Sequence, residues 1–376
     1  MMRKRLLIVL PSPGGGGAER MGMNLAGELT RRGWELTVVT MSNGAGWPQN
    51  MPPAVKWLNL GKTGQLDIPH MILRLARVIR FTQPALIHTR VYFTAVVTHL
   101  ARRLAGGDYA QVSAIDCTLS QYLQNESLPR MRRLACRSIL PRLDHIVAVS
   151  TGVKKDLVQN FQVESARCSV IWNSVETENV RRAADQDIPE DNAVDDSPLI
   201  VTAGRLVREK NFELLLRSFA RVRANRAVRL HILGAGPEKS KLERMASELG
   251  VESSVNFKGY VTNPFKYFRA ADVFVMSSES EGFGNVVVEA MACGTAVVST
   301  RYQHGADEII TDGLNGLLVP CGDSERMAVA IQSLLDDDRK RRRIAEAGQR
   351  RAEDFDNKKI AAQYSTLFER VIRQYV

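Results

Sequence analysis

Short apolar runs alternate with segments of helical periodicity along almost the whole chain. Leu6–Leu10 is continuously apolar, as suits a strand covered on both faces. A run of glycines, Gly14 to Gly17, separates it from a stretch with Met21, Leu25 and Leu29 at helical spacing. Gly33 stands where a helix C-terminal glycine belongs, and Glu35–Thr40 predicts the next strand. The pattern continues with helices around Met71–Phe81, Phe93–Leu104, Met131–Leu140 and Gly152–Asn160. Strands are predicted at Ala85–His88, Ala110–Asp116, His145–Val149 and Ser169–Trp172. Such alternation predicts βαβ units and parallel sheet.

Residues 177–198 break the rhythm. They are polar, acidic and carry two prolines, and so read as a linker. A second series then begins at Leu199–Ala203. Its strands are Arg229–Leu233, Val255–Lys258, Asp272–Met276, Ala296–Ser299 and Gly316–Leu318, and three helical stretches follow from Ser324 to Tyr375. The expected organisation is α/β, with two Rossmann-like doubly wound domains facing a cleft. Residues 1–176 form the first domain, 177–198 the linker, 199–354 the second domain, and 355–376 a terminal helix returning to the first. A length of 376 residues fits two domains.

Composition narrows the class. Hydrophobic residues are 44% and charged residues 24%, which excludes disordered and fibrous chains. No apolar run near the N-terminus reaches the ~20 residues of a spanning helix, and Leu6–Leu10 is too short for a signal-peptide core. The five cysteines are odd in number and scattered, so neither a disulfide framework nor a zinc site is expected, and a reducing cytosol fits. The formal charge of +10 is uneven: residues 1–180 hold 22 Lys/Arg against 12 Asp/Glu, and the rest of the chain balances. An anionic partner for the first half follows, either nucleic acid or a membrane surface.

Candidate chemistry gathers after the strands. The glycine run lies between strand and helix, where bare amides can approach an anion, although a flexible turn would look the same. It lacks the Gly-Lys-Ser/Thr of a P-loop. In the second half, Gly204-Arg-Leu-Val-Arg-Glu-Lys-Asn211 sets Arg205 and Lys210 five residues apart ahead of a helix, fit to converge on a diphosphate. Ser277-Ser-Glu-Ser-Glu-Gly-Phe-Gly-Asn285 leads into another helix, with Glu281 and Glu289 eight apart. These carboxylates can accept hydrogen bonds from sugar or ribose hydroxyls, and the helix start offers amides to phosphate. Two Asp-x-Asp strings, Asp185/Asp187 and Asp354/Asp356, sit in polar segments ill-suited to a metal.

These motifs resemble one family. Gly14–Arg20, Gly204–Asn211, Leu233-Gly-Ala-Gly-Pro237, the Glu281-Gly-Phe-Gly and Glu289-Ala-Met-Ala-Cys-Gly294 segments, Val147–Val153, Val170–Asn173 and Asp312–Gly316 are similar to those of retaining nucleotide-sugar glycosyltransferases of the GT-B architecture. The resemblance covers about Leu6 to Pro320. It implies that Gly204, Arg205 and Lys210 hold the donor diphosphate, that Glu289 binds the ribose and that Glu281 sits at the transferred hexose. The amides of Phe283, Gly284, Asn285, Val286 and Val287 would serve sugar hydroxyls and phosphate. Tyr260 and Val261 would flank the base, UDP being favoured, and Gly15, Gly16 and Gly17 would lie near the diphosphate.

Many members carry a histidine where this chain has Asp116-Cys117, so that role transfers poorly. Asp116 and His88 are the two candidates, and a packed strand-end residue is the competing reading of His88. The implied activity is metal-independent retaining transfer, with the nucleoside-diphosphate sugar as co-substrate and no cofactor. The implied acceptor is a glycan or polyprenyl-diphosphate-linked molecule in polysaccharide or glycoconjugate biosynthesis. A nucleotide-sugar epimerase or a phosphorylase on the same architecture stays open.

The basic excess includes Arg74, Arg77 and Arg80 on one helix, and Arg130, Arg132, Arg133, Arg137 and Arg142 along another. Beside an apolar face, such arginines suit a lipid headgroup layer, or else the face packs on its own sheet and the arginines are solvated. With the resemblance, a cytoplasmic protein peripheral at the membrane is expected. Nucleic acid is not, because no helix-turn-helix, zinc or RNP signature is present.

Overall fold

The computed structural model describes residues 4–13, 17–42, 53–62, 64, 67–186 and 197–375. In chain order the first elements are β1 (Arg5–Leu10), α1 (Gly17–Arg31), β2 (Glu35–Ser42), β3 (Lys56–Lys62), α2 (Ile68–Thr82), β4 (Leu86–Arg90) and α3 (Tyr92–Ala105). Then come β5 (Ala110–Ile115), α4 (Leu119–Tyr122), α5 (Pro129–Ile139), β6 (His145–Ala148), α6 (Thr151–Phe161) and β7 (Cys168–Val170). The second series runs α7 (Thr177–Ala184), β8 (Leu199–Ala203), α8 (Phe212–Arg223), β9 (Arg229–Leu233), α9 (Lys239–Glu248), β10 (Val255–Gly259), α10 (Phe265–Ala270) and β11 (Val273–Met276). It ends with α11 (Asn285–Ala292), β12 (Ala296–Thr300), α12 (Ala306–Ile309), β13 (Leu317–Val319), α13 (Ser324–Leu335), α14 (Asp338–Ala352) and α15 (Asn357–Ile372).

Two compact units result. The first is Met1–Ser174 with Asn357–Val376, and the second is Val175–Asp356. Among the described residues, the first carries a parallel sheet in the order β3-β2-β1-β4-β5-β6-β7, and the second the order β10-β9-β8-β11-β12-β13. Both orders reverse direction once, at β1/β4 and at β8/β11. The reversal opens a crevice at the carboxyl ends of those strands.

The first sheet is covered on one face by α2 and α3, through Met71, Leu75, Ile79, Val97 and Ala101. The other face packs on Leu25, Leu29 and Trp34 and on Ile360, Tyr364, Leu367 and Phe368 of α15. The terminal helix thus completes the core of the first unit. Trp34 donates from its indole N–H to Ser365 Oγ at 3.0 Å and meets Phe368 edge-on.

The 177–198 stretch differs from the linker expected of it. Thr177–Ala184 is helix α7, which buries Thr177, Val180 and Ala184 at i, i+3 and i+7 within the second unit. Its three charged side chains had masked that apolar stripe. The segment from 187 to 196 lies outside the described residues.

Candidate active site

In the second unit the site is built by backbone meeting backbone. Gly204 N–H donates to Leu233 O at 2.9 Å, and Leu206 N–H to Ala235 O at 2.9 Å, zipping the loops after β8 and β9 together. At Gly234, with φ 141°, a Cβ would stand 1.9 Å from Gly204 O, and at Gly236 it would stand 2.3 Å from Leu206 O. The Gly-Ala-Gly segment is therefore the seat on which the Arg205 loop rests.

That loop is then tied to the one after β11. Lys210 Nζ meets Glu281 Oε1 at 2.5 Å, with the two side chains 24% and 15% exposed. Ser277 Oγ donates to Lys210 O at 2.9 Å, Asn211 Nδ2 to Glu279 Oε1 at 2.9 Å, and Glu279 N–H to Glu209 O at 2.9 Å. Asn211, in the left-handed region at φ 44°, also caps α8 by accepting from Leu214 N–H at 3.2 Å. Arg205, on the same loop as Lys210, is exposed, with no ion-pair partner among the described residues.

The turn into α11 is fixed from below. Phe283 is buried against Phe355, with ring centroids 5.4 Å apart. Its carbonyl accepts from the Tyr302 hydroxyl at 2.6 Å. Gly284 caps the helix at φ 108°, and a Cβ there would lie 2.2 Å from the Tyr302 hydroxyl oxygen. Burial, then the carboxylates of Glu281, Glu308 and Asp307, push the Tyr302 phenol well above its ordinary range, so it remains a neutral donor. The α11 amino terminus thereby opens at Asn285 and Val286, with Val287 and Glu289 buried behind it. Asn285 Oδ1 is buried with no hydrogen-bond partner among the described residues. Tyr260 stands exposed just past β10, and Val261 is half-buried. Gly259 O, next to it, accepts from Gly234 N–H at 2.7 Å. The structure thus brings Gly204, Arg205, Lys210, Glu281 and the α11 start to the β8/β11 crevice.

The first unit is arranged differently. Arg90 ends β4 and is 2% exposed. Its guanidinium is bound to Asp116 Oδ1 and lies 2.8 Å from Asn173 Oδ1. Burial opposes the charge on Arg90, but Asp116 and the Tyr364 hydroxyl more than offset it, so Arg90 is held above its ordinary range. Burial pushes the Tyr364 phenol up to about 12. Asp116 is therefore the counter-ion of a buried arginine, and its Oδ2 is buried without a partner among the described residues.

His88 is corrected as a catalytic candidate. Its ring is fully buried, Nδ1 lies 3.0 Å from Val112 O, and Tyr364 and Phe368 of α15 pack on it with centroids 5.3 Å away. Burial, with Arg90 nearby, lowers it to about 3. A ring sealed under α15 can touch no substrate, and the packed strand-end reading holds. Gly17 opens α1 and is exposed, whereas Gly15 and Gly16 lie outside the described residues. Of the Asp-x-Asp strings, Asp356 accepts from Thr177 Oγ1 at 2.7 Å and Asp354 pairs with Arg351 at 2.9 Å, while Asp187 lies outside the described residues.

Two family models match. "Glycosyl transferases group 1" covers residues 184–351 and "Glycosyltransferase Family 4" covers residues 15–179. The N-acetylgalactosamine-N,N'-diacetylbacillosaminyl-diphospho-undecaprenol 4-alpha-N-acetylgalactosaminyltransferase of Campylobacter jejuni is 30% identical over 370 residues, which are 95% of this chain and 97% of that protein. The chain belongs to the group 1 glycosyltransferases. A lipopolysaccharide core biosynthesis glycosyltransferase, LpsE, of Rhizobium meliloti is 32% identical over 338 residues, 89% of each chain. Among solved structures, Alr3699/HepE of Anabaena in complex with UDP superposes at a TM-score of 0.81 with 22% identity, over 97% of this chain and 99% of that one. That likeness carries the GT-B fold.

One structural residue of this glycosyltransferase, Arg90, escaped sequence reading, yet it organises the β4 and β5 strand ends. A charge closing an apolar strand, beside an acid closing the next, was the available signal.

Proposed function

We propose that this glycosyltransferase moves a hexose or N-acetylhexosamine from a nucleoside-diphosphate sugar, a UDP-sugar, to a glycan or polyprenyl-diphosphate-linked acceptor, with retention at the anomeric carbon. The observation that carries the reading is the Lys210–Glu281 pair at the β8/β11 crevice, with Arg205 exposed on the Lys210 loop and the α11 amino terminus following the Glu281 loop. A cation held by one carboxylate at the edge of solvent can pass to an arriving diphosphate. Arg205 and Lys210 then take the charge that builds on the leaving nucleoside diphosphate, without a metal or other cofactor. Glu281, released, faces the transferred sugar. Glu289 holds the ribose, the amides from Phe283 to Val287 meet sugar hydroxyls and phosphate, and Tyr260 and Val261 flank the base.

Asp116 serves in this reading as the fixed anion of that domain, orienting an acceptor or sugar hydroxyl. The bond from anomeric carbon to phosphate oxygen breaks, the acceptor oxygen bonds on the same face, and its proton passes to the leaving phosphate. The Campylobacter relative is named for transfer to a diphospho-undecaprenol acceptor, which supports the lipid-linked acceptor, and the UDP of the HepE complex supports the donor. The enzyme would work in the cytoplasm, peripheral on the membrane through its basic first domain.

The test is protection against thermal unfolding by a panel of nucleotide sugars, followed by acceptor-dependent nucleotide release and the anomeric configuration of the product. A UDP-sugar should raise Tm where GDP-sugars do not. Stabilisation by none, or an inverted product, would overturn the reading.

A further inference from the structure

The two arginine-bearing helices of the first unit separate sharply. In α2 the apolar face is core: Met71, Leu75 and Ile79 are fully buried. Arg74 and Arg80 reach backbone carbonyls of Leu60, Leu104 and Ala105 at 2.6–2.8 Å. Helix α5 is the opposite. Its one buried side chain is Cys136, while Leu128, Met131 and Leu134 are 62%, 61% and 70% exposed. Met131 and Leu134, three residues apart, form an outward apolar ridge. Arg130, Arg133 and Arg137 line one side of it and have no acidic partner among the described residues. Arg132 does the anchoring instead, donating to Tyr92 Oη at 2.7 Å and Ser127 O at 2.7 Å and pairing with Glu126 at 3.1 Å.

We infer that α5 is a membrane-docking helix, seated in the headgroup layer of an anionic bilayer with Leu128, Met131 and Leu134 inserted and Arg130, Arg133 and Arg137 on lipid phosphates. Charge complementarity selects the occupant. Pro129–Ile139 holds no acidic residue, and Arg130, Arg133 and Arg137 stand beside the ridge without an acidic partner among the described residues. An apolar ridge flanked by arginines matches an interface that is anionic outside and hydrocarbon inside. A nucleic acid would use the arginines and leave the ridge in water. In the chain, α5 belongs to the connection from β5 to β6, after α4. The inference deepens the membrane part of the proposed function, yet its physics is independent of transfer chemistry.

The experiment is co-sedimentation of the full chain, without donor or acceptor, with vesicles of phosphatidylcholine and phosphatidylglycerol or of phosphatidylcholine alone. Binding is expected to the mixed vesicles, weakening as salt rises. Leu128→Gln, Met131→Gln and Leu134→Gln together, or Arg130→Gln, Arg133→Gln and Arg137→Gln together, should each weaken it about tenfold or more. Both variants should keep nucleotide release on a water-soluble acceptor. Unchanged vesicle binding in the apolar variant overturns the inference, as does a wild-type dimer that this variant alone breaks, with lipid binding absent. Salt-sensitive oligonucleotide binding indifferent to the apolar variant, with no vesicle binding, overturns it too. Lost turnover with retained vesicle binding would instead fault the transferase reading.

Discussion

Each Rossmann unit joins the carboxyl ends of two adjacent parallel strands with a cation–carboxylate pair, and the two pairs are built to opposite purposes. Lys210–Glu281 sits at the edge of solvent on flexible chains, and its neighbours are backbone groups that fix the loops rather than the charges. Arg90–Asp116 is sealed beneath α15 and shares Asn173 and Tyr364. A pair at the edge of solvent contributes less to stability than a buried one and can exchange partners more cheaply. A buried one has already met the cost of desolvation, and either ion left alone is costly. The first suits a ligand site and the second a frame.

Four changes would break or sharpen this contrast. Arg90→Leu should destabilise the first unit by about 3–5 kcal/mol, since Asp116 is left buried and unpaired, and adding Asp116→Leu should recover most of the loss. All four tryptophans precede residue 175, so denaturant titration followed by indole emission reports on that unit. A neutral single variant would mean the pair is not structural. Lys210→Ala should lower kcat about 10²–10³-fold with the circular dichroism spectrum unchanged. Retained turnover would remove the functional side of the comparison. Gly284→Ala should cost about 2–3 kcal/mol, read by calorimetry, because φ 108° and the Tyr302 hydroxyl both oppose a Cβ.

The smallest effect is on pH. Burial lowers His88 to about 3, and His99 and His145 to about 4, all in the first unit. Each binds its proton more tightly when unfolded, so the stability they confer is complete above the ordinary value of 6.5 and falls as pH drops below it. His88→Gln should flatten that acid limb by about 1–2 kcal/mol between pH 6.5 and about pH 5, measured from the same indole emission. An unchanged slope would show that His88 is protonated without cost, contrary to its packing.

Most of the strands were legible because both faces of each sheet are covered, which leaves uninterrupted apolar runs such as Leu6–Leu10 and Val273–Met276. The edge strand Lys56–Lys62 was missed for the converse reason: half exposed, it mixes Lys and Asn with Trp and Leu. The Lys210–Glu281 contact could be anticipated, since two loops after neighbouring strands must meet. His88 and Arg90 could not be told apart locally. Two residues apart on one strand, they share a face, and what seals that face is a helix that follows the second unit in the sequence. For α5, periodicity shows that one side is apolar but not that it turns away from the sheet.

The return of α15 has a consequence for synthesis. While the ribosome is still translating the second unit, the face of the first sheet formed by Leu6, Ile8, Leu86 and Val112 lacks Tyr364, Leu367 and Phe368. The half made first is therefore finished last. The half made second, whose core draws on Ile200 to Ile344, can close before it. A nascent chain paused before residue 357 would present an open apolar sheet to chaperones, and a stop codon there would disable the domain at the opposite end of the message.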